Sequence, residues 1–576
     1  MSQAEVGGLI GAAIIIPFGF ALAFTLIGAV RRLRAVASAL YALSLAGVNI
    51  ALLNGFLNLS HEPSWGPFHL THFGFPLFLV LQLASAACVV YGGFRGEDAG
   101  MPGLLTASIT AATGLAALAL VTASVVAQVS LWEGVTACAL IGLAVAGGGG
   151  MRRKLRAFAP WLIGDALFIA GVVLCAAWLK ETSVLIAPPL TSGTEAQTVT
   201  VAALFLASAL VRLGVFPFHF WIRDLVERTD ATWSSFFLGT ANFLLGGMRL
   251  VIVSVFLGRL VASDWGLGLV IGGLVSVLAG PVLAAIGRTV PDYVSGMYTF
   301  QAGFLLVGVG LFSRSGLEGA IFLLLVSPLF LTAGMMAAGT AEEARGTVAL
   351  FRQGLSARLA PAAFVALLVS GLSLAGLPPL DGFVGKAVIT LGSLDKAAVG
   401  AFYALAAGLL TAGTAVAAVA VARTVGGVFA ARGVEAPAAR RHSPAEGVAA
   451  VGLCAVSLLF GLFPGLLLHN FIERASRLLF ASGFTGPGIA FHGTGAEVEN
   501  ALGLYPGWAP VVAAFVLAAS ALALALYFYG RATHPSQGRR DRFEPFVGGL
   551  AGDYRESSDF EFPAALARFP RRGRGR

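Results

Sequence analysis

Apolar residues run along this chain in stretches of about 20, each long enough to cross a bilayer as an α-helix. Short polar joins rich in arginine, glycine or proline separate them. The pattern predicts spans near 7–30, 36–57, 74–94, 103–123, 126–149, 158–178, 198–220, 233–257, 266–287, 293–313, 317–340, 358–393, 397–428, 445–468 and 507–530. The fold class is therefore an all-α polytopic membrane protein with about fifteen transmembrane helices, their ends blurred by joins such as "AGGGG" (146–150). Two spans are interrupted, at "GVFPFHFW" (214–221) and at "SLAGLPPLDGFVGK" (373–386). Proline removes a helical hydrogen bond and clashes with the turn before it, so both predict broken helices. The breaks lie five spans apart, the offset of two inverted five-helix repeats (helices 4–8 and 9–13). Paired broken helices mark the ion path of many transporters; the plainer alternative is a proline kink in a packing helix.

Composition agrees. Of 576 residues 57% are hydrophobic and only 11% charged, against about 25% charged in soluble domains. The mean hydropathy is +0.86. A net charge of +8 suggests an anionic or nucleic-acid partner until its distribution is examined. Joins after odd-numbered spans carry Arg31, Arg32, Arg34, Arg95, Arg152, Arg153, Lys154, Arg156, Arg223, Arg228, Arg288, Arg345, Arg352, Arg358, Arg423, Arg432, Arg440 and Arg441. Even-numbered joins carry only Lys180, Arg259, Arg314, Lys396, Arg474 and Arg477. That asymmetry is the positive-inside bias of a cytoplasmic (inner) membrane protein, with the N-terminus outside and the C-terminus cytoplasmic. It argues against nucleic acid as a partner. The opening "MSQAEVGG" lacks a basic stretch, so no cleaved signal peptide is expected. Cys88, Cys138, Cys175 and Cys454 fall singly inside apolar spans, as core residues do, and predict no metal site.

Charges inside the spans are few. The bases are Arg212, Arg249 and Lys386; the acids are Glu133, Asp165 and Asp381. Ionisable groups at that depth are costly and tend to mark function. A basic residue accompanies each break, Arg212 just before the first and Lys386 just after the second. Glu133, Asp165 and Arg212 sit on three consecutive spans. Together they make either an electrostatic switch for a moving proton or a static salt bridge locking three helices. Arg249 either belongs with them or snorkels from near a helix end.

Several motifs then bring a family into view. "LWEGVTACALIG" (131–142), "RAFAPWLIGDALF" (156–168), "RLGVFPFHFWIRD" (212–224) and "GLPPLDGFVGK" (376–386) resemble, in order and spacing, motifs of the antiporter-like subunits of respiratory complex I. Membrane-bound hydrogenases and multisubunit cation/proton antiporters share them. "SGMYTFQAGFLLVGVG" (295–310) is similar to a tenth-helix motif. The likeness covers about residues 60–430 and looks closest to the large subunit at the distal end of the membrane arm. It implies a proton-translocating or proton-coupling subunit, without a cofactor or catalytic residue of its own, working beside other membrane subunits. Glu133, Asp165, Arg212, His219 and Lys386 would form its proton pathway, with Lys386 at the exit. The domains implied are helices 1–3 (1–100), two antiporter-like repeats (101–260 and 261–430), C-terminal spans (431–530) and a basic cytoplasmic tail (531–576).

The departures from the family are informative. Arg212 stands where the family has a lysine; a buried ammonium can release a proton, whereas a guanidinium keeps its charge. Leu238 takes the place of a histidine early in helix 8. In helix 11 a ladder of two histidines and a lysine is replaced by Leu323, Ser327 and Leu331. Arg223 replaces a proline. What remains for a water-lined middle is Asn242, Tyr298, Gln301 and Ser327, which hydrogen-bond but do not take up charge near neutral pH. The expectation is a dry, closed middle, with pumping, if any, in neighbouring subunits. The alternative function is a non-pumping scaffold, or an energising partner of another transporter such as an inorganic-carbon accumulation system.

Overall fold

The computed structural model describes residues 3–506, apart from 59–62, 66–67, 96–100, 123, 147–149, 180–193, 259–261, 346–348, 351–359, 430–443, 481–488, 493–494 and 501–502. The expected span at 507–530, the tail at 531–576 and most of the join between the spans at 397–428 and 445–468 lie outside the described residues. Among those described, ten helices are long and apolar enough to cross a membrane. The count is eleven if Glu446–Leu462 and Gly465–Ser476, bent by 83° at their junction, form one span. The chain is a multi-pass integral membrane protein.

The peripheral helices α1 (Gln3–Ile27) and α2 (Arg31–Leu57) turn leucine and isoleucine outward, Leu22, Leu26 and Leu43 among them, as lipid-facing helices do. α3 (Gly74–Phe94), α4 (Pro102–Val121) and α5 (Val125–Val145) are more deeply packed. At the centre stands α13 (Arg314–Arg345), apolar all round through "AIFLLLVSPLFLTAGMMAAG" and wholly buried over its apolar stretch. A helix with hydrophobic residues on every side must be enclosed by other helices. It packs on α12 (Val290–Gly310), α14 (Pro361–Ala375), α15 (Asp381–Asp395) and α17 (Pro444–Leu462); α16 (Ala401–Phe429) lies outside this ring.

α11 (Ala262–Ile286) and α12 make the most extensive helix pair, and the reason is legible in their glycines. Gly266, Gly273 and Gly280 recur every seventh residue on α11, facing Gly310, Gly303 and Gly296 on α12. A Cβ on Gly280 would lie 2.5 Å from the Gly296 carbonyl oxygen. Small residues let membrane helices approach backbone to backbone.

Both predicted breaks are present. α7 (Glu195–Arg212) stops at Arg212, and the chain resumes helical form at α8 (Phe220–Arg228). α14 stops at Ala375, and α15 begins at Asp381. Gly214 (φ +59°) and Gly376 (φ +74°) turn the chain out of its helix in the left-handed region that suits glycine. Each precedes a cis X-Pro bond, Phe216–Pro217 and Pro378–Pro379. The eighth span differs from a plain helix: short α9 (Ala231–Trp233) runs into a π-helix, Ser234–Asn242, before α10 (Phe243–Gly258). Where the sequence suggested only a loop at 478–500 before the last span, Ile489–His492, Gly495–Asn500 and Gly503–Pro506 form an antiparallel sheet in sequential order.

Backbone groups freed at membrane depth need partners from the protein. At the first break the Arg212 carbonyl accepts from Asn242 Nδ2 (2.7 Å) and the Gly214 carbonyl from Thr299 Oγ1 (3.1 Å). The Phe216 amide donates to Ser276 Oγ (3.1 Å). The π-helix thus ends on the residue that caps α7.

Candidate functional site

At the first break one carboxylate serves two guanidinium groups. Asp165, on α6 (Met151–Leu174), accepts from Arg249 Nη2 at Oδ1 (2.7 Å) and from Arg212 Nη1 at Oδ2 (3.5 Å). Thr136 Oγ1, from α5, donates to Oδ2 at 2.8 Å and in turn accepts from Trp161 Nε1 (3.0 Å). Arg249 Nη1 also donates to Ser208 Oγ (2.9 Å), and Ser208, one turn before Arg212, donates to the Gly164 carbonyl (2.6 Å). Both guanidinium groups are wholly buried. Arg212 lies 3.8 Å above the Trp161 ring, and Arg249 lies 4.4 Å above Phe168. Such cation–π contacts offset part of the cost of burying charge. The site also needs Gly164, because a Cβ there would sit 2.7 Å from Arg212 Cγ.

One alternative left open by the sequence is decided here and one expectation is corrected. Arg249 does not snorkel; it holds the shortest ion pair of the cluster. Glu133 does not pair with Arg212. Among the described residues it makes no ion pair, its Oε1 is buried without a hydrogen bond, and the residue is half-buried. The physical reason is that Asp165 presents one oxygen to each arginine, and α5 reaches it through Thr136, three residues past Glu133. No motif singled out Arg249; the available signal was its place among the few charges inside spans.

The middle holds short hydrogen-bonded groups, in which the amide oxygens of Asn242 and Gln301 are buried without a partner. Asn242 Nδ2 donates to Tyr298 Oη (2.8 Å), and Gln301 Nε2 donates to Ser327 Oγ (2.8 Å). Ser327 turns its own hydroxyl back to the Leu323 carbonyl, one helical turn away. Thr240 and Thr332 join at 2.8 Å. Leu238 and Leu323 are wholly buried, and Leu331 is 3% exposed. Among the described residues, no hydrogen bond links the Arg212–Asn242–Tyr298 group to Gln301–Ser327, or Gln301–Ser327 to Lys386.

At the second break Lys386 Nζ donates to the carbonyls of Leu374 (2.7 Å) and Ser373 (3.5 Å). It lies within 5.2, 5.5 and 6.0 Å of the Phe300, Phe304 and Phe330 rings. His219, just ahead of α8, stacks on Phe216 with ring centroids 5.3 Å apart, and its Nδ1 is buried without a hydrogen bond. It does not touch the arginines. Among the described residues no three His, Cys, Asp or Glu side chains converge as a metal site, and all four cysteines are buried.

Two broken membrane helices, each with a buried base at its break, mark the site of this multi-pass membrane protein. Residues 156–412 match the family described as NADH:quinone oxidoreductase/Mrp antiporter, transmembrane. NADH-quinone oxidoreductase subunit N of Desulfitobacterium hafniense is 29% identical over 234 residues, 36% of this chain and 47% of that protein. Matches to this and other curated relatives span between about a third and a half of their lengths. Among solved structures, a chain of the Mrp complex from Dietzia sp. DQ12-45-1b superposes with a TM-score of 0.70 at 19% identity, over 84% of this chain and 98% of that one. A chain of the membrane-bound sulfane sulfur reductase, an archaeal respiratory membrane complex, gives 0.71 at 18% identity, over 90% and 84%. These likenesses establish the fold.

Proposed function

We propose that the chain is a proton-coupling membrane subunit of a complex I-like or group 4 hydrogenase-like oxidoreductase assembly, with electron chemistry confined to partner subunits. The observation that carries this reading is the pair of buried bases, Arg212 and Lys386, each built into a helix break. A purely structural scaffold has no need of two such sites, since charge inside a membrane is expensive. The same positive-φ glycine, placed three residues before a proline at each break, supports two inverted five-helix repeats within about fifteen spans. The domain boundaries near 100, 260, 430 and 530 follow from that arrangement. The arginine asymmetry supports an inner-membrane location with the N-terminus outside. Kinship with the distal large subunit rests on motif likeness.

In this reading Asp165, Arg212 and Arg249 form a fixed charge cluster, because guanidinium groups keep their protons. Glu133 is the group near the cluster without a fixed partner, and so the one free to take up and release a proton. His219 and Lys386 line the outer ends of the two half-paths. Asn242, Tyr298, Gln301 and Ser327 bond to one another in the middle, with Leu238, Leu323 and Leu331 packed around them. A half-buried carboxylate at hydrocarbon depth also calls for a covering neighbour, which favours another membrane subunit against α5.

The experiment is Glu133→Gln in the intact complex, reconstituted in vesicles with a pH-sensitive dye. Normal assembly with reduced proton movement is expected. Normal assembly with undiminished proton movement would remove Glu133 from the pathway.

A further inference from the structure

The second break holds a buried acid that the pathway above does not use. Asp381 is the first residue of α15 and is wholly buried. Its Oδ1 accepts from Ser373 Oγ (2.6 Å), Ser457 Oγ (2.5 Å) and the Gly382 amide (2.8 Å). Its Oδ2 is buried with no hydrogen bond. Lys386, five residues on, is equally enclosed and makes no ion pair among the described residues; its ammonium rests on the last-turn carbonyls of α14. Each charge therefore sits at the helix end whose dipole favours it, the carboxylate at an N-terminus and the ammonium at a C-terminus. Ser373 joins them: its carbonyl accepts from Lys386 and its hydroxyl donates to Asp381.

The surroundings leave these two groups to each other. α12 presents Phe300 and Phe304 to the ammonium, and α13 presents Phe330. α14 contributes Ser373, and α17 contributes Ser457 and the buried thiol Cys454. None of these carries charge. Toward the first break, Leu323 and Leu331 stand in the way, and Asp165 is already occupied by two arginines. Removing one partner of a buried charge pair strands the other, which is strongly destabilising. An ammonium behind a hydrocarbon barrier needs a counter-charge on its own side.

We propose that Asp381 is that counter-charge and a second proton-holding group, so that the second half of the protein carries its own carboxylate–amine unit. Through a bridging water, an N–H bond of Lys386 breaks as an O–H bond forms at the free Oδ2 of Asp381. The pair passes from carboxylate and ammonium to carboxylic acid and amine, and the net charge of the break stays zero throughout. The two halves are then electrostatically self-sufficient, which is why a leucine barrier between them is tolerated. This rests on the proton-coupling reading for its purpose, but the pairing itself is tested by stability.

The test is a double-mutant cycle on the full-length protein in detergent, with Asp381→Asn, Lys386→Met and the two combined. Each single change should lower the melting temperature. The double variant should melt well above the sum of the two losses, because neither charge is left stranded. Strict additivity would overturn the pairing, even if Lys386→Met abolished transport and so upheld the proton-coupling reading. Should a single variant fail to fold, wild-type protein with isotope-labelled aspartate serves instead. A buried protonated-carboxyl infrared band should rise and fall with pH and shift in Asp381→Glu. Its absence across the accessible pH range would refute the proton-holding role.

Discussion

Asp165→Asn is the most informative single change at the first break. The native carboxylate is held by Arg249 at 2.7 Å, Thr136 at 2.8 Å and Arg212 at 3.5 Å, and both guanidinium groups are wholly buried. Asparagine keeps one acceptor oxygen but turns an amide toward donors that cannot accept. Breaking a buried ion pair by removing one partner costs about 3–5 kcal/mol. Here two cations are stranded by one substitution, so about 5 kcal/mol is expected. That is a large part of the roughly 5–15 kcal/mol of a typical protein. Thermal unfolding of the purified protein in detergent, with the yield of assembled complex, measures the loss. Arg223→Ala is the control: its side chain is 40% exposed and pairs with Glu227 at 3.0 Å and with Asp292 at 2.5 Å, and exposed pairs are worth only about 0–1 kcal/mol each. Adding Arg249→Met to Asp165→Asn should recover part of the loss by removing one stranded charge. If Asp165→Asn melts no lower than Arg223→Ala, the buried-cluster argument fails.

Two further outcomes follow from the middle of the protein and from the charge distribution. Leu331→Lys combined with Leu323→His, which introduces two of the three relay groups, should sharply reduce the yield of folded protein, since both leucines are enclosed by packed side chains; a stable variant with increased proton leak would mean that the middle is hydrated. Reporter fusions after residues 34, 154 and 441 should read as cytoplasmic and one within 478–500 as external, and an internal 478–500 segment would overturn the span assignment.

Much of this protein was legible in its sequence, for reasons that are local. A run of about 20 apolar residues must find hydrocarbon or other helices to bury it, so the ten or eleven long apolar helices among the described residues were open to view, though not the full count of about fifteen. Glycine and proline at "GVFPFHFW" and "SLAGLPPL" act on their own backbone, so the breaks were predictable to within a few residues. The seven-residue glycine spacing on α11 and α12 was equally open to view, though which helices it joined was not. The partners of the buried charges were another matter. Asp165 takes Arg249 as well as Arg212, and Glu133 is passed over in favour of Thr136. Those choices depend on the rotation of α5, α6, α7 and α10 about their axes, fixed by aromatic stacking on Trp161 and Phe168 and by the absent side chain of Gly164. The π-helical turn that brings Asn242 beneath the end of α7 left no mark in the apolar pattern. Periodicity along one chain fixes which residues enter the membrane; which charge meets which is set by contacts between helices distant in sequence, and only the packed structure decides it.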